Sequence, residues 1–358
     1  MQKVRAYISL KSIYNNALAW KKVSGVRLCA VVKANAYGHG APQVAYALHT
    51  LADCFAVSLL DEAKAIRVAA CGKDILVLTP PLTKQDVLEC ILNGFILTVA
   101  DIPSAKLVAS VAENAQLQAR VHLKINTGMN RYGMDEKSLQ RVCKYYAVNA
   151  YVRVEGVYSH LYQTERKPCE KQRLVFLNRL GVCKRFFPNV IAHLSATYGA
   201  LLGQEFSFDM VRIGIGLYGY IPDGAQDIDK KTVRDLALKR AMKLTATSMG
   251  SRAYRYGGAG YGKPIWWNGT RQPPKRLFVC RVGYADGVLR NRKSGLNVWR
   301  RQANNACMDA SVLIGAKGRG KEICIMDDAA KTAKQTGTIS YEVLCAATRR
   351  AECIYDER

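Results

Sequence analysis

Short apolar runs alternate with amphipathic stretches through the first two thirds of the chain. Eight runs read as strands, at 27–32, 54–58, 75–79, 95–100, 121–125, 154–159, 190–194 and 210–214. Helical periodicity falls between them, for example over 11–22, 60–70, 103–114 and 137–147. Pro103 suits a first helical turn, and Asp101 or Ser104 is placed to cap it. Eight strands that alternate with helices predict a parallel sheet closed into a (β/α)8 barrel. An open doubly wound sheet is the alternative, but no GxGxxG follows the first strand. After about Tyr220 the helical period gives way to glycine-rich, β-like pieces at 277–282, 295–299 and 322–326. The expectation is an α/β barrel over 1–220 and a mostly β domain over 221–358.

Composition adds little to this and excludes a few classes. Apolar residues make up 49% and charged residues 23% of the 358, an ordinary globular balance. No apolar run reaches transmembrane length, and the opening MQKVRAYISL lacks the pattern of a secretory signal. A cytoplasmic protein without membrane association is expected. The twelve cysteines are scattered, with no CxxC pair, which predicts reduced thiols and no metal site. The net charge of +25 is unusual and would suit a polyanion binder. The basic residues are spread out, however, and no zinc-finger, RNP or Walker signature accompanies them. Specific nucleic-acid binding is not expected.

The chemistry starts at Lys33, in VVKANAYGHG. An apolar strand delivers this lysine into a turn bounded by Gly38 and Gly40. A strand-end lysine can simply reach solvent. A desolvated one is a nucleophile toward aldehydes, and pyridoxal 5'-phosphate (PLP) is the obvious aldehyde. Barrel chemistry sits at the carboxyl ends of the strands. Lys33 ends the first strand, Lys124 lies in the fifth with Arg131 soon after, and His160 ends the sixth. Ser195 and Thr197 follow the seventh, while Arg212 and Gly214 end the eighth. The polar residues therefore gather at one rim.

VVKANAYGHG, KINTGMNRYG, VEGVYSH, VRIGIGLYG, RVGYADG, CMD and SYEVL occur in that order. Together they resemble the alanine racemase family, PLP-dependent enzymes with a fold-type III barrel and a C-terminal β domain. The resemblance spans essentially the whole chain and is patchier after Met249. It implies that Lys33 carries PLP and acts as one catalytic base, and that Tyr37 holds the phosphate. It implies that Arg131 binds the phenolic oxygen of PLP and approaches the substrate carboxylate. Lys124 matches a lysine often carbamylated in the family, and His160 the histidine beneath the pyridine ring. Thr197 stands where the family has a phosphate-binding serine, with Ser195 in reserve. Arg212 matches the arginine that faces the pyridine nitrogen, and Gly214 and Ile215 offer N–H groups to phosphate. A guanidinium cannot readily give that nitrogen a proton, which makes the ring a restrained electron sink.

Racemisation needs a second base on the opposite face of the substrate. The resemblance implies a tyrosine from a partner subunit, matched here by Tyr261 in GAGYGKPIWW, with Tyr256 as the rival. Such a tyrosine needs nearby cations to act near neutral pH, and the pair His160 and Arg212 is expected to supply them. Tyr284, Met308 and Asp309 match residues that line the substrate's way in and bind its carboxylate across the dimer interface. Tyr355 matches a tyrosine that packs on the lysine and the phosphate. The implied protein is a homodimer with shared sites that converts L-alanine to D-alanine for peptidoglycan. Serine or broader racemisation, a PLP-binding barrel without catalysis, and a polyanion binder are the other readings.

Overall fold

The computed structural model describes residues 4–225, 228–255, 257–261, 276–290 and 306–356. A short strand, β1 (Arg5–Ile8), opens the chain and is followed by a helix at Leu10–Ser24. Then come β2 (Arg27–Val31), β3 (Cys54–Val57), β4 (Asp74–Val77), β5 (Ile96–Val99), β6 (Ala119–Lys124), β7 (Val152–Tyr158), β8 (Ile191–His193) and β9 (Met210–Ile213). These eight form one all-parallel sheet in the order β8-β7-β6-β5-β4-β3-β2-β9. The seam between β8 and β9 is bridged by Asp209 N donating to Ala192 O (3.0 Å) and Arg212 N donating to Ser195 O (2.9 Å). The sheet is therefore the expected eight-stranded barrel, nearly closed. Every residue of β3, β5 and β9 is buried, which is why these strands read as continuous apolar runs.

The helices begin where their caps place them. Asp101 Oδ1 accepts from Ser104 N (2.7 Å), and Ser104 Oγ accepts in return from Asp101 N (3.2 Å). Both candidate capping residues thus act, on a helix of Ile102–Ala115. Thr83 and Asp86 repeat the device at Lys84–Leu92. The helix expected over 60–70 stops at Ile66.

The chain divides into two compact units. One comprises Ser12–Ala36 and Ala41–Lys239, and holds the barrel. The other comprises Met1–Lys11, Tyr37–Gly40 and Arg240–Arg358. Its sheet uses β10 (Met242–Ala253), β11 (Arg276–Cys280), β12 (Ser311–Ile314), β13 (Glu322–Met326) and β14 (Glu352–Tyr355). The order is β12-β11-β10-β1-β14, with β13 also on β10. The twelve-residue β10 shifts register between Ser248 and Ser251, so its two ends serve different partners. A single cut between residues 220 and 221 does not describe the N-terminal strand, which pairs with β10 and β14 of this second unit. Local periodicity carries no sign of so remote a pairing. The strand expected at 295–299 lies outside the described residues. Helices at Ala329–Thr336 and Ser340–Ala347 belong to this unit as well.

Candidate active site

The turn after β2 is unusual. Ala34, Asn35, Ala36 and Tyr37 have φ of 51°, 52°, 54° and 52°, a left-handed stretch without glycine. Each such residue costs roughly 1–2 kcal/mol, so neighbours must hold the turn. Glu62 does so from the helix Leu60–Ile66. Its Oε1 accepts from Ala34 N (2.6 Å), and its Oε2 accepts from Ser58 N (2.8 Å) and Leu59 N (3.1 Å). Asn35 Oδ1 accepts from Ala41 N (2.8 Å). Lys33 enters this turn half-buried, at the carboxyl end of β2.

Within electrostatic reach of Lys33 stands a cluster of cations. Lys124 is 7% exposed, and its Nζ sits 4.1 Å from the centre of the Tyr158 ring. The Arg212 guanidinium lies over the same ring at 5.2 Å. Burial, and then the charges of Arg212, Arg131 and Lys33, push the Lys124 amine well below the ordinary lysine range. Burial, and then Arg212, Lys124, Arg131 and Lys33, do the same to His160. Tyr158 is pushed up to about 12 by burial, with Thr98, Arg212 and Arg131 opposing the rise. Its hydroxyl shares a 2.8 Å hydrogen bond with Thr98 Oγ1. Arg131 is exposed, on the loop that the Ile125–Met134 bridge closes.

Arg212 anchors the cluster. It donates to the carbonyls of Ser159 (2.6 Å), His193 (2.9 Å) and Leu194 (3.0 Å), and has no carboxylate partner among the described residues. It also lies 2.9 Å from His193 Nδ1 and 3.3 Å from His160 Nδ1. Because a guanidinium only donates, both ring nitrogens must accept. His193 then carries its proton on Nε2 and donates to His122 Nδ1 at 2.9 Å. His122 in turn carries its proton on Nε2, a buried atom with no partner among the described residues. A Cβ at position 156 would meet the His122 ring at 2.6 Å, so the glycine of VEGVYSH makes room for it. One arginine thus fixes the protonation of three imidazoles.

Beyond β9, Gly214 leads into a tight turn, Ile215–Tyr218. The N–H groups of Gly214 and Ile215 donate to no backbone carbonyl among the described residues. Thr197 Oγ1 accepts from Gly216 N (3.3 Å), beside this turn. Ser195 Oγ instead donates to Phe206 O (2.7 Å), so Thr197 is the better hydroxyl for this place. Uncommitted N–H groups and a hydroxyl make a cup for an anion. A buried arginine without a carboxylate faces the same barrel mouth. This donor set fits a phosphorylated, electron-poor ring attached to Lys33.

The remaining expected residues belong to the second unit. Tyr37 is buried, with its ring centre 5.9 Å from that of Tyr341, and burial raises its hydroxyl above the ordinary tyrosine range. Tyr284, Met308 and Asp309 are brought together. Tyr284 N donates to Cys307 O (3.0 Å), Ala285 N donates to Met308 O (3.0 Å), and Arg350 bridges Asp286 (2.9 Å) and Asp309 (2.8 Å). Tyr355 ends β14 half-buried. Tyr261 is 68% exposed. Tyr256 lies outside the described residues. Glu62, Tyr158, His193 and Arg350 were not singled out from sequence. Tyr158 and His193 carry a signal all the same, as polar side chains at alternate positions inside apolar barrel strands, like Thr98 and His122.

The family model described as alanine racemase, N-terminal domain, matches residues 8–222, and that of the C-terminal domain matches 242–355. An alanine racemase of Lactobacillus delbrueckii subsp. bulgaricus is 30% identical over an alignment 376 positions long, gaps included, covering 98% of this chain and 96% of that protein. The biosynthetic alanine racemase of Pseudomonas aeruginosa superposes with a TM-score of 0.87 at 26% identity, over 100% of both chains. The alanine racemase of Bacillus anthracis with bound L-Ala-P gives 0.86 at 26% identity, over 100% of this chain and 96% of that one.

Proposed function

This chain belongs to the alanine racemase family, and on that premise we propose that Lys33 and Tyr261 are the two bases with which it interconverts L- and D-alanine. The enzyme is a PLP-dependent racemase. The observation that carries the site assignment is the buried Arg212, set among donors and cations and away from any carboxylate among the described residues.

When bound, PLP supplies an electron sink for the pair left on Cα. Lys33 takes or returns a proton at Cα from one face, and Tyr261 does so from the other. Thr197 and the N–H groups of Gly214 and Ile215 would hold the phosphate, a role that the family pattern gives to Tyr37 too. Arg212 would hold the pyridine nitrogen as a donor that does not surrender its proton. Arg212 would thereby keep the electron sink moderate and favour return of the proton to Cα over side reactions. His160 would hold the pyridine ring, and the family pattern assigns Tyr355 to the cofactor-binding residues as well. Arg131 orients the substrate carboxylate, and Tyr284, Met308 and Asp309 line its approach.

Burial and the neighbouring cations favour the neutral form of the Lys124 amine, the form that adds to carbon dioxide. A C–N bond forms, a proton leaves, and the carbamate's charge holds Arg131. The exposure of Tyr261 supports its serving a second copy's site, hence a homodimer. We place the enzyme in the cytoplasm, supplying D-alanine for peptidoglycan. No described helix is long and apolar enough to cross a membrane.

The test is conversion of L-alanine by the purified protein with PLP, resolved by chiral chromatography. D-alanine should accumulate to near equality, and Lys33→Ala should abolish it. Steady L-alanine alone would overturn the assignment.

A further inference from the structure

The turn Ile215–Tyr218 is held from outside the barrel by the helix Leu10–Ser24, through two residues that the reaction does not use. Asn16 is 2% exposed, and its Nδ2 donates to Leu217 O (2.9 Å) and Lys239 O (2.8 Å). Its Oδ1 accepts from Lys239 N (2.8 Å). Trp20 is fully buried one helical turn later, and its Nε1 has no hydrogen-bond partner among the described residues. Leaving a buried indole N–H unpaired is costly and calls for a reason. The reason lies in the packing. A Cβ at Gly216 would sit 2.6 Å from Trp20 Nε1 and 2.7 Å from Cε2, so the indole presses directly on the backbone of the turn. On the other side Gly216 N reaches Thr197 Oγ1. Tyr218 OH donates to Val31 O (3.3 Å), two residues before Lys33.

We infer that Asn16 and Trp20 are positioning residues for the phosphate of PLP: they clamp the Gly214–Tyr218 turn so that its leading N–H groups stay aimed at the anion. The inference rests on the PLP reading above. Asn16 ties down the turn through the Leu217 carbonyl. Trp20 sets its depth by contact, which only a glycine at 216 allows. Neither residue touches the ring or the substrate, so their effect should fall on the phosphate alone.

The experiment compares PLP with pyridoxal, which lacks the phosphate, by titrating the lysine-bound chromophore in the full-length protein. Asn16→Ala should weaken PLP about tenfold, the scale of one lost hydrogen bond. It should change pyridoxal affinity less than twofold. Gly216→Ala should also weaken PLP selectively. Adding Trp20→Phe should recover much of that loss, because the smaller ring makes room for the new methyl. Equal losses for PLP and pyridoxal would overturn the inference, as would a Gly216→Ala defect that Trp20→Phe only adds to. If Asn16→Ala does not fold, the Gly216 and Trp20 pair still decides the matter. A wild-type protein that shows no lysine-bound PLP at all would overturn the functional reading, and this inference with it.

Discussion

Replacing His122 should make the barrel less sensitive to mild acid. His122 is 2% exposed, and its pKa is pushed down to about 3, first by burial and then by the charges of Arg120 and Arg212. In the unfolded chain an imidazole titrates near 6.5. Between about pH 6.5 and 3 the unfolded state therefore binds a proton that the folded state refuses. Stability is full above the upper value and falls as the pH is lowered through this window. At 1.36 kcal/mol per pH unit, moving from neutral pH to pH 5 costs about 2 kcal/mol through this residue alone. His122→Asn removes the titration and can still accept from His193 Nε2 through its amide oxygen. The smaller side chain carries a packing cost, but that cost is the same at both pH values. Urea unfolding at pH 7.5 and pH 5 reads the difference directly. The wild type should lose about 2 kcal/mol more than the variant between the two conditions. Parallel pH profiles would refute the claim that His122 is held neutral in the folded barrel.

Glu62→Gln keeps the shape of the side chain but removes the charge that holds three N–H groups around the left-handed turn, at Ala34, Ser58 and Leu59. It should lower stability by roughly 1–3 kcal/mol and slow turnover, measured by thermal unfolding and by kcat. Tyr261→Phe should stop exchange of the α-proton with solvent for one enantiomer of alanine while sparing it for the other, as NMR in D2O would show. Exchange of both at wild-type rates would remove Tyr261 from the mechanism. Lys33→Ala and Tyr261→Phe should each be inactive alone. Mixed and allowed to exchange subunits, they should recover activity, because one site of the mixed dimer is then intact; continued inactivity would place Tyr261 in its own subunit's site.

The barrel was legible because parallel strands are buried on both faces. The runs at 54–58, 95–100 and 210–214 could be read without knowing what they pair with. β1 was not legible, since four residues that pair with strands more than 230 positions away leave no local period. The rim residues Lys33, Lys124, Arg131, His160 and Arg212 follow from the rule that places chemistry at strand carboxyl ends, and the electrostatics of this rim do couple them. What escaped were the supporting groups. Glu62 looks like an ordinary first-turn acid of its helix, and only the positive φ values at Ala34 to Tyr37 reveal what it restrains. His193 lies two residues before Ser195, yet its contact with Arg212 appears only when β8 and β9 lie side by side. Asn16 reads as a polar position on an amphipathic helix. Its partners, Leu217 and Lys239, are some 200 residues away.

The central claim is that this barrel removes the α-proton of alanine from one face and returns it on the other. The most direct measurement incubates the protein and PLP with equal L-alanine and L-serine in D2O, then resolves enantiomers and α-deuterium by chiral chromatography with mass detection. The account predicts D-alanine as the dominant D-enantiomer, carrying solvent deuterium at Cα. Lysine-bound PLP with no D-enantiomer formed would contradict it, and dominant D-serine would move the preference to the larger substrate.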